Sequence, residues 1–133
     1  MKISRILSDW LPPLLWAVLI FSLSHRNSLP MMDEPIIHDK VAHALAYSIL
    51  AGLLFRALDR QMMPAAAAWM AFALASAYGI TDEVHQHFIP GRTSSVFDWY
   101  ADVAGAALVS FAAWVASMVH QKKRGPAMIQ PSW

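Results

Sequence analysis

Residues 81–102 read TDEVHQHFIPGRTSSVFDWYAD and hold four carboxylates (Asp82, Glu83, Asp98, Asp102), Arg92, two histidines and a glutamine. Twenty uncharged residues precede this stretch and seventeen come after it. A polar island between two long apolar runs reads as two helix ends and the turn joining them. Pro90-Gly91 is the turn signal, and Ser94 or Ser95 suits the N-cap of the second of those helices.

The whole chain shares this imbalance. Of its 133 residues 57% are hydrophobic and 14% charged, with a mean hydropathy of +0.40; soluble domains carry about 25% charged residues. This composition indicates an all-α membrane protein. A net charge of +1, with basic residues scattered in ones and twos, gives no surface for nucleic acid. The absence of cysteine excludes disulfides, thiolate metal sites and a cysteine nucleophile. The sequence has no phosphate-binding glycine loop, G-x-S-x-G or H-E-x-x-H motif.

Crossing a hydrocarbon core about 30 Å thick takes roughly 20 helical residues. Four segments meet or approach that length, near 10–25, 39–58, 62–83 and 97–119. They predict a four-helix transmembrane bundle forming a single domain over 1–121, with a flexible tail over 122–133. Pro12 and Pro13 fit the first turn of the first helix. That segment has a rival reading as a cleaved signal peptide, but a retained span is better reconciled with the charges. Lys2, Arg5, Arg56, Arg60, Lys122, Lys123 and Arg124 are seven of the ten basic residues, and all lie at one set of segment ends. The positive-inside rule then makes both termini and the tail cytoplasmic and the polar island extracytoplasmic. Alanines and glycines in the third and fourth segments, Ala101-x-x-x-Gly105 among them, suit close helix packing in lipid.

A second polar stretch, HDKVAHALAY at 38–47, opens the second helix on the same side. Asp39, His43 and Tyr47 recur every four residues and share one face; Asp82 and Gln86 share another, as do Asp98, Asp102 and Gly105. Convergence would gather Asp39, Lys40, His43, Asp82, Glu83, Gln86, Arg92, Ser95, Asp98 and Asp102. So many carboxylates need a compensating cation or shared protons. One outcome is a network pinning helix ends, with Arg92 bridging Asp82 and Asp98 and His43 donating to Asp39 or a neighbouring helix. Another is a divalent metal on ligands drawn from His43, Asp82, Glu83, Asp98 and Asp102, although no histidine pair stands at i, i+4. A third is an anion site, in which Lys40, His43, Arg92 and the helix starts receive a lipid phosphate. His43, Asp98 and Asp39 are the candidates for acid–base or nucleophilic catalysis. Ionisable groups at membrane depth generally mark a ligand or proton path. Trp10, Trp16, Trp99, Trp114 and Tyr100 read as interface belts or packing, and His25 and His38 as ordinary loop residues.

FSLSH, HDKVAHALAY and TDEVHQHFIPGRTSSVFDWYADVAGA, in this order, resemble the VanZ-like family of small bacterial membrane proteins over about residues 20–110. That family's pattern is D-K-x-x-H-x-x-x-Y, then D-E-x-x-Q-x-x-x-P-x-R, then a serine before D-x-x-x-N/D-x-x-G. It is matched by Asp39, Lys40, His43 and Tyr47; by Asp82, Glu83, Gln86, Pro90 and Arg92; and by Ser95, Asp98, Asp102 and Gly105. Asp102 stands where many members carry asparagine, which adds a titratable charge. The resemblance implies a protein of the bacterial cytoplasmic membrane and cell envelope, in a family whose namesake is linked to low-level resistance to the glycopeptide teicoplanin. In that setting the partners expected of the polar site are membrane lipids or a lipid-linked envelope precursor. It implies no established cofactor or activity, so a non-catalytic binder, a membrane enzyme and a purely structural subunit all remain open.

Overall fold

A computed structural model describes residues 3–25, 36–92 and 94–124, with side chains placed from 39 onward in the second helix and to 122 in the fourth. Arg26, Thr93 and the expected tail beyond 124 lie outside the described residues, as does the side chain of His38. The fold is all-α, built from α1 (Ile3–Ser24), α2 (Ile36–Leu58), α3 (Pro64–His87) and α4 (Val96–Arg124). Each is long and apolar enough to cross a membrane. Even the 22 residues of α1 extend about 33 Å at 1.5 Å per residue.

Local chemistry sets the boundaries. The α2–α3 connection is tight: Gln61 and Met62 both donate backbone N–H to Leu58 O, at 2.8 and 3.0 Å. Met63 is then extended and Pro64 starts α3, where its missing N–H is no loss. After α3, Arg92 N donates to Ile89 O at 3.1 Å across Pro90-Gly91, and Gly91 has φ 82°. This is a type II turn with glycine at the position requiring positive φ. Ser95 caps α4, its Oγ accepting from Phe97 N at 3.2 Å.

The first helix departs from expectation. It begins well before Pro12 and Pro13, which lie in its interior. Pro12 has no N–H to offer the Ser8 carbonyl four residues back. Arg56 of α2 satisfies that carbonyl instead, Nη2 to O at 3.1 Å. The neighbouring Asp9, buried, pairs with Arg60. A proline preference for first turns is thus overridden with the help of a guanidinium group from another helix.

Helices α2, α3 and α4 form the centre, with α2 and α4 in the most extensive contact and α1 laid against α2 and α3. Ala67, Ala71, Ala75 and Gly79 are a buried stripe along α3 at four-residue spacing. They pack with Tyr47, Leu50, Ala51 and Leu54 of α2 and Ala106 of α4. Large apolar side chains such as Leu14, Val18, Leu108 and Phe111 point outward, as lipid-facing positions should. Backbone proximity at small residues replaces the hydrophobic drive that is missing in lipid. A Cβ on Gly105 would be driven into the Ala44 carbonyl, so α4 touches α2 backbone to backbone there. Three cross-helix bonds add to this: Trp16 Nε1 to Ala46 O (2.9 Å), Tyr78 Oη to Ala17 O (2.8 Å) and Trp99 Nε1 to Ser76 O (3.1 Å). Trp16 and Trp99 are therefore packing groups that tie helices, one of the two roles expected of them.

Candidate functional site

The start of α2, the end of α3 and the start of α4 meet at one end of the bundle, and the polar residues meet there with them. Between α2 and α4 the contacts form a ladder whose rungs keep to the helical repeat. Lys40 pairs with Asp98 while also lying 3.6 Å from Asp39 Oδ2. One turn deeper, His43 Nδ1 is 3.0 Å from Asp102 Oδ1. Deeper still, Gly105 lies against Ala44 and Ser48. Asp39, exposed, is at the mouth; Asp98 is buried, and Asp102 is wholly buried.

The third helix closes the site. A Cβ on Gly79 would lie 2.9 Å from Asp102 Oδ2 and 3.2 Å from Trp99 Cδ1, so the bare glycine backbone makes room for the Asp102 carboxylate. One turn on, Asp82 Oδ2 accepts from Gln86 Nε2 at 3.2 Å, and the same amide reaches Ser24 Oγ of α1 at 3.4 Å. Glu83 Oε2 accepts the backbone N–H of Ser95 at 2.8 Å. Glu83 thereby fastens the end of α3 to the N-cap of α4, where a carboxylate is favoured by the helix dipole.

Several expected pairings are replaced. Among the described residues no ion pair joins Arg92 to Asp82 or Asp98: Lys40 takes Asp98 and Gln86 takes Asp82. Arg92 Nε is buried without a partner. His43 takes the second of its two expected partners, a neighbouring helix, by hydrogen-bonding Asp102 of α4. The anion site loses two of its three cations, because Lys40 and His43 face carboxylates and Glu83 already occupies the first turn of α4. His25 is no ordinary loop residue: its Nδ1 is 3.2 Å from His85 Nε2, and Phe21 packs on His85 with ring centroids 4.3 Å apart. Two groups of three residues have ligand atoms within 4.8 Å of one another, Asp39, His43 and Asp98, and His43, Glu83 and Asp102; Asp82 is in neither. Ser24, Gly79 and Trp99 belong to the site's frame but carried no sequence signal beyond a glycine in an alanine-rich helix.

A family profile described as VanZ/LLP1 matches residues 14–117, which contain every rung of this ladder. The chain belongs to the VanZ/LLP1 family. No match to it is found among curated proteins or solved structures. With four apolar helices of spanning length, this VanZ/LLP1 chain is a multi-pass membrane protein. The resemblance drawn from HDKVAHALAY and TDEVHQHFIPGR thus holds at the level of family and fold. The chemistry of this VanZ/LLP1 site rests on its own geometry. A histidine oriented by a buried carboxylate is held for proton transfer or metal ligation. The carboxylate oxygens without donors call for a cation or a hydrogen-bond donor.

Proposed function

We propose that this VanZ-like protein is a factor of the bacterial cell envelope, resident in the cytoplasmic membrane with both termini cytoplasmic, whose acid-rich site lies at the extracytoplasmic edge. Its ligand on this reading is the head group of an envelope lipid or of a lipid-linked envelope precursor. Engagement of that lipid would alter susceptibility to glycopeptides such as teicoplanin. The observation that carries the reading is a set of buried acceptors, Asp82 Oδ1, Glu83 Oε1 and Asp102 Oδ2, that have no partner in the protein. Buried polar atoms left unmatched cost about 1–3 kcal/mol each, so their retention favours a ligand that matches them. Lys40 and His43 being already paired, the head group would be recognised through its donors, hydroxyl or ammonium, with Arg92, whose Nε is buried without a partner, left as the cation for any phosphate.

The His43–Asp102 pair favours a second reading, an enzyme acting on a lipid-linked phosphate or sugar. There His43 would be the acid–base group, Asp102 would orient it, and Asp98 and Asp39 would flank it. The third reading, a structural subunit, assigns the same network to packing alone.

Native mass spectrometry of the protein extracted from its membrane tests the lipid reading. The wild type is expected to carry one retained lipid, and Asp39→Asn and Arg92→Gln to release it while keeping their thermal unfolding midpoints. A wild-type protein that emerges bare, or variants that hold the lipid as well as the parent, would rule it out.

A further inference from the structure

We infer that His43, Glu83 and Asp102 hold a divalent cation at the junction of α2, α3 and α4. The ion would take two of the bare oxygens, Glu83 Oε1 and Asp102 Oδ2, that the envelope-lipid reading gives to a head group, so it stands apart from that reading and is tested by its own ligand. Three carboxylates at this junction share one arrangement: one oxygen is fixed by the protein and the other is left bare. Glu83 Oε2 takes Ser95 N, leaving Oε1; Asp102 Oδ1 takes His43 Nδ1, leaving Oδ2; Asp82 Oδ2 takes Gln86 Nε2, leaving Oδ1. Supporting contacts of this kind orient ligating carboxylates around metals.

A second observation comes from Tyr47, one turn below His43 on the same face. It is 1% exposed, its hydroxyl lacks a partner in good hydrogen-bond geometry, and its electrostatic neighbours are Asp82, Asp102 and Tyr78, with Asp82 near enough to share a hydrogen bond. A tyrosine hydroxyl usually finds a partner when buried; the Asp82 carboxylate beside it, or a water of an occupied site, would supply one here.

Charge and distance agree. Lys40 is engaged with Asp39 and Asp98 at the mouth, so no lysine remains for Glu83 and Asp102 below. The outer group, Asp39, His43 and Asp98, already contains that ammonium, which leaves the inner group for the metal. Ligand atoms about 2.0–2.2 Å from a metal are roughly 3–3.6 Å from one another. One ligand atom from each of His43, Glu83 and Asp102 lies within 4.8 Å of the other two, so a small closure of the three side chains brings them to that separation. One imidazole with two or three carboxylate oxygens suits a first-row divalent ion such as Mn²⁺ or Zn²⁺.

The test is a Mn²⁺ titration of the full chain in neutral detergent, freed of lipid and monitored by electron paramagnetic resonance. One Mn²⁺ per chain is expected, with spin-echo modulation from a single imidazole nitrogen, a signature that requires no variant. Glu83→Gln keeps the acceptor for Ser95 N, and Asp102→Asn keeps the one for His43. Each is expected to weaken binding by more than about tenfold, while Asp39→Asn leaves it within about twofold. Absence of saturable binding, bound Mn²⁺ without nitrogen modulation, or loss in Asp39→Asn with Glu83→Gln unaffected would each overturn the assignment.

Discussion

Gly105 and Gly79 control how near α4 comes to its neighbours, and each acts by lacking a side chain. At Gly105 the obstacle to a Cβ is the Ala44 carbonyl, part of a helix that cannot give way locally. At Gly79 it is the Asp102 carboxylate, which a rotation can move. Gly105→Ala is therefore expected to cost about 1–3 kcal/mol, the usual penalty for overpacking, seen as a lower unfolding midpoint in detergent. Gly79→Ala is expected to disturb the His43–Asp102 pair while costing less stability. Equal midpoints for Gly105→Ala and the parent would contradict the backbone contact. At this scale the sequence revealed faces but not pairings. Asp39, His43 and Tyr47, or Asp98, Asp102 and Gly105, align because 3.6 residues make a turn. That Lys40 rather than Arg92 reaches Asp98 depends on the rotation and depth of α2 against α4, which the spacing within one helix does not encode.

Among elements, α1 is the exception. It buries only Asp9, Pro13, Ile20 and Ser24 along its length, and its hold on the bundle is correspondingly polar. Arg56 and Arg60 seize its Ser8 carbonyl and Asp9 carboxylate at one end; Trp16 and Tyr78 bond across its middle; Ser24 meets Gln86 at the other. Arg60→Gln leaves the buried Asp9 without its cation, an expected loss of about 1–3 kcal/mol, kept modest because Arg60 itself is half exposed. The double variant Asp9→Asn/Arg60→Gln should recover part of that loss. A double-mutant cycle with no coupling would show the pair to be inert. The same contacts explain why the start of α1 was hidden in the sequence. Two consecutive prolines are a start signal when a helix is considered alone, and only a neighbour's guanidinium makes them tolerable in the middle. Between α3 and α4 the turn residues Pro90, Gly91 and Ser95 act locally, so that connection was legible; the start of α2 and the ends of α3 and α4 lie three to five residues outside the segments 39–58, 62–83 and 97–119.

Taken whole, the molecule is a sharply polarised object: among the described residues, the buried acids other than Asp9 lie at the end formed by the starts of α2 and α4 and the close of α3. The opposite end carries Arg5, Arg56, Arg60 and Lys122. Asp9 is the one buried acid there among the described residues, and it is held by Arg60. The positive-inside rule counts lysine and arginine near the span ends irrespective of their partners, so the pairing of Arg60 does not weaken the inference that this basic end is cytoplasmic. The consequence for function is large, because it decides which side of the membrane can load the His43–Asp102 site. The chain has no cysteine of its own, so single introduced thiols report position without background. Ser94, exposed in the α3–α4 connection, and Gln121, exposed in the last turn of α4, mark the two ends. In intact cells with a permeable outer envelope, Ser94→Cys is expected to react with a membrane-impermeant maleimide at once, and Gln121→Cys only after the membrane is opened. The reverse order of labelling would invert the orientation and place the acid-rich site in the cytoplasm, where outer-leaflet lipids could not reach it.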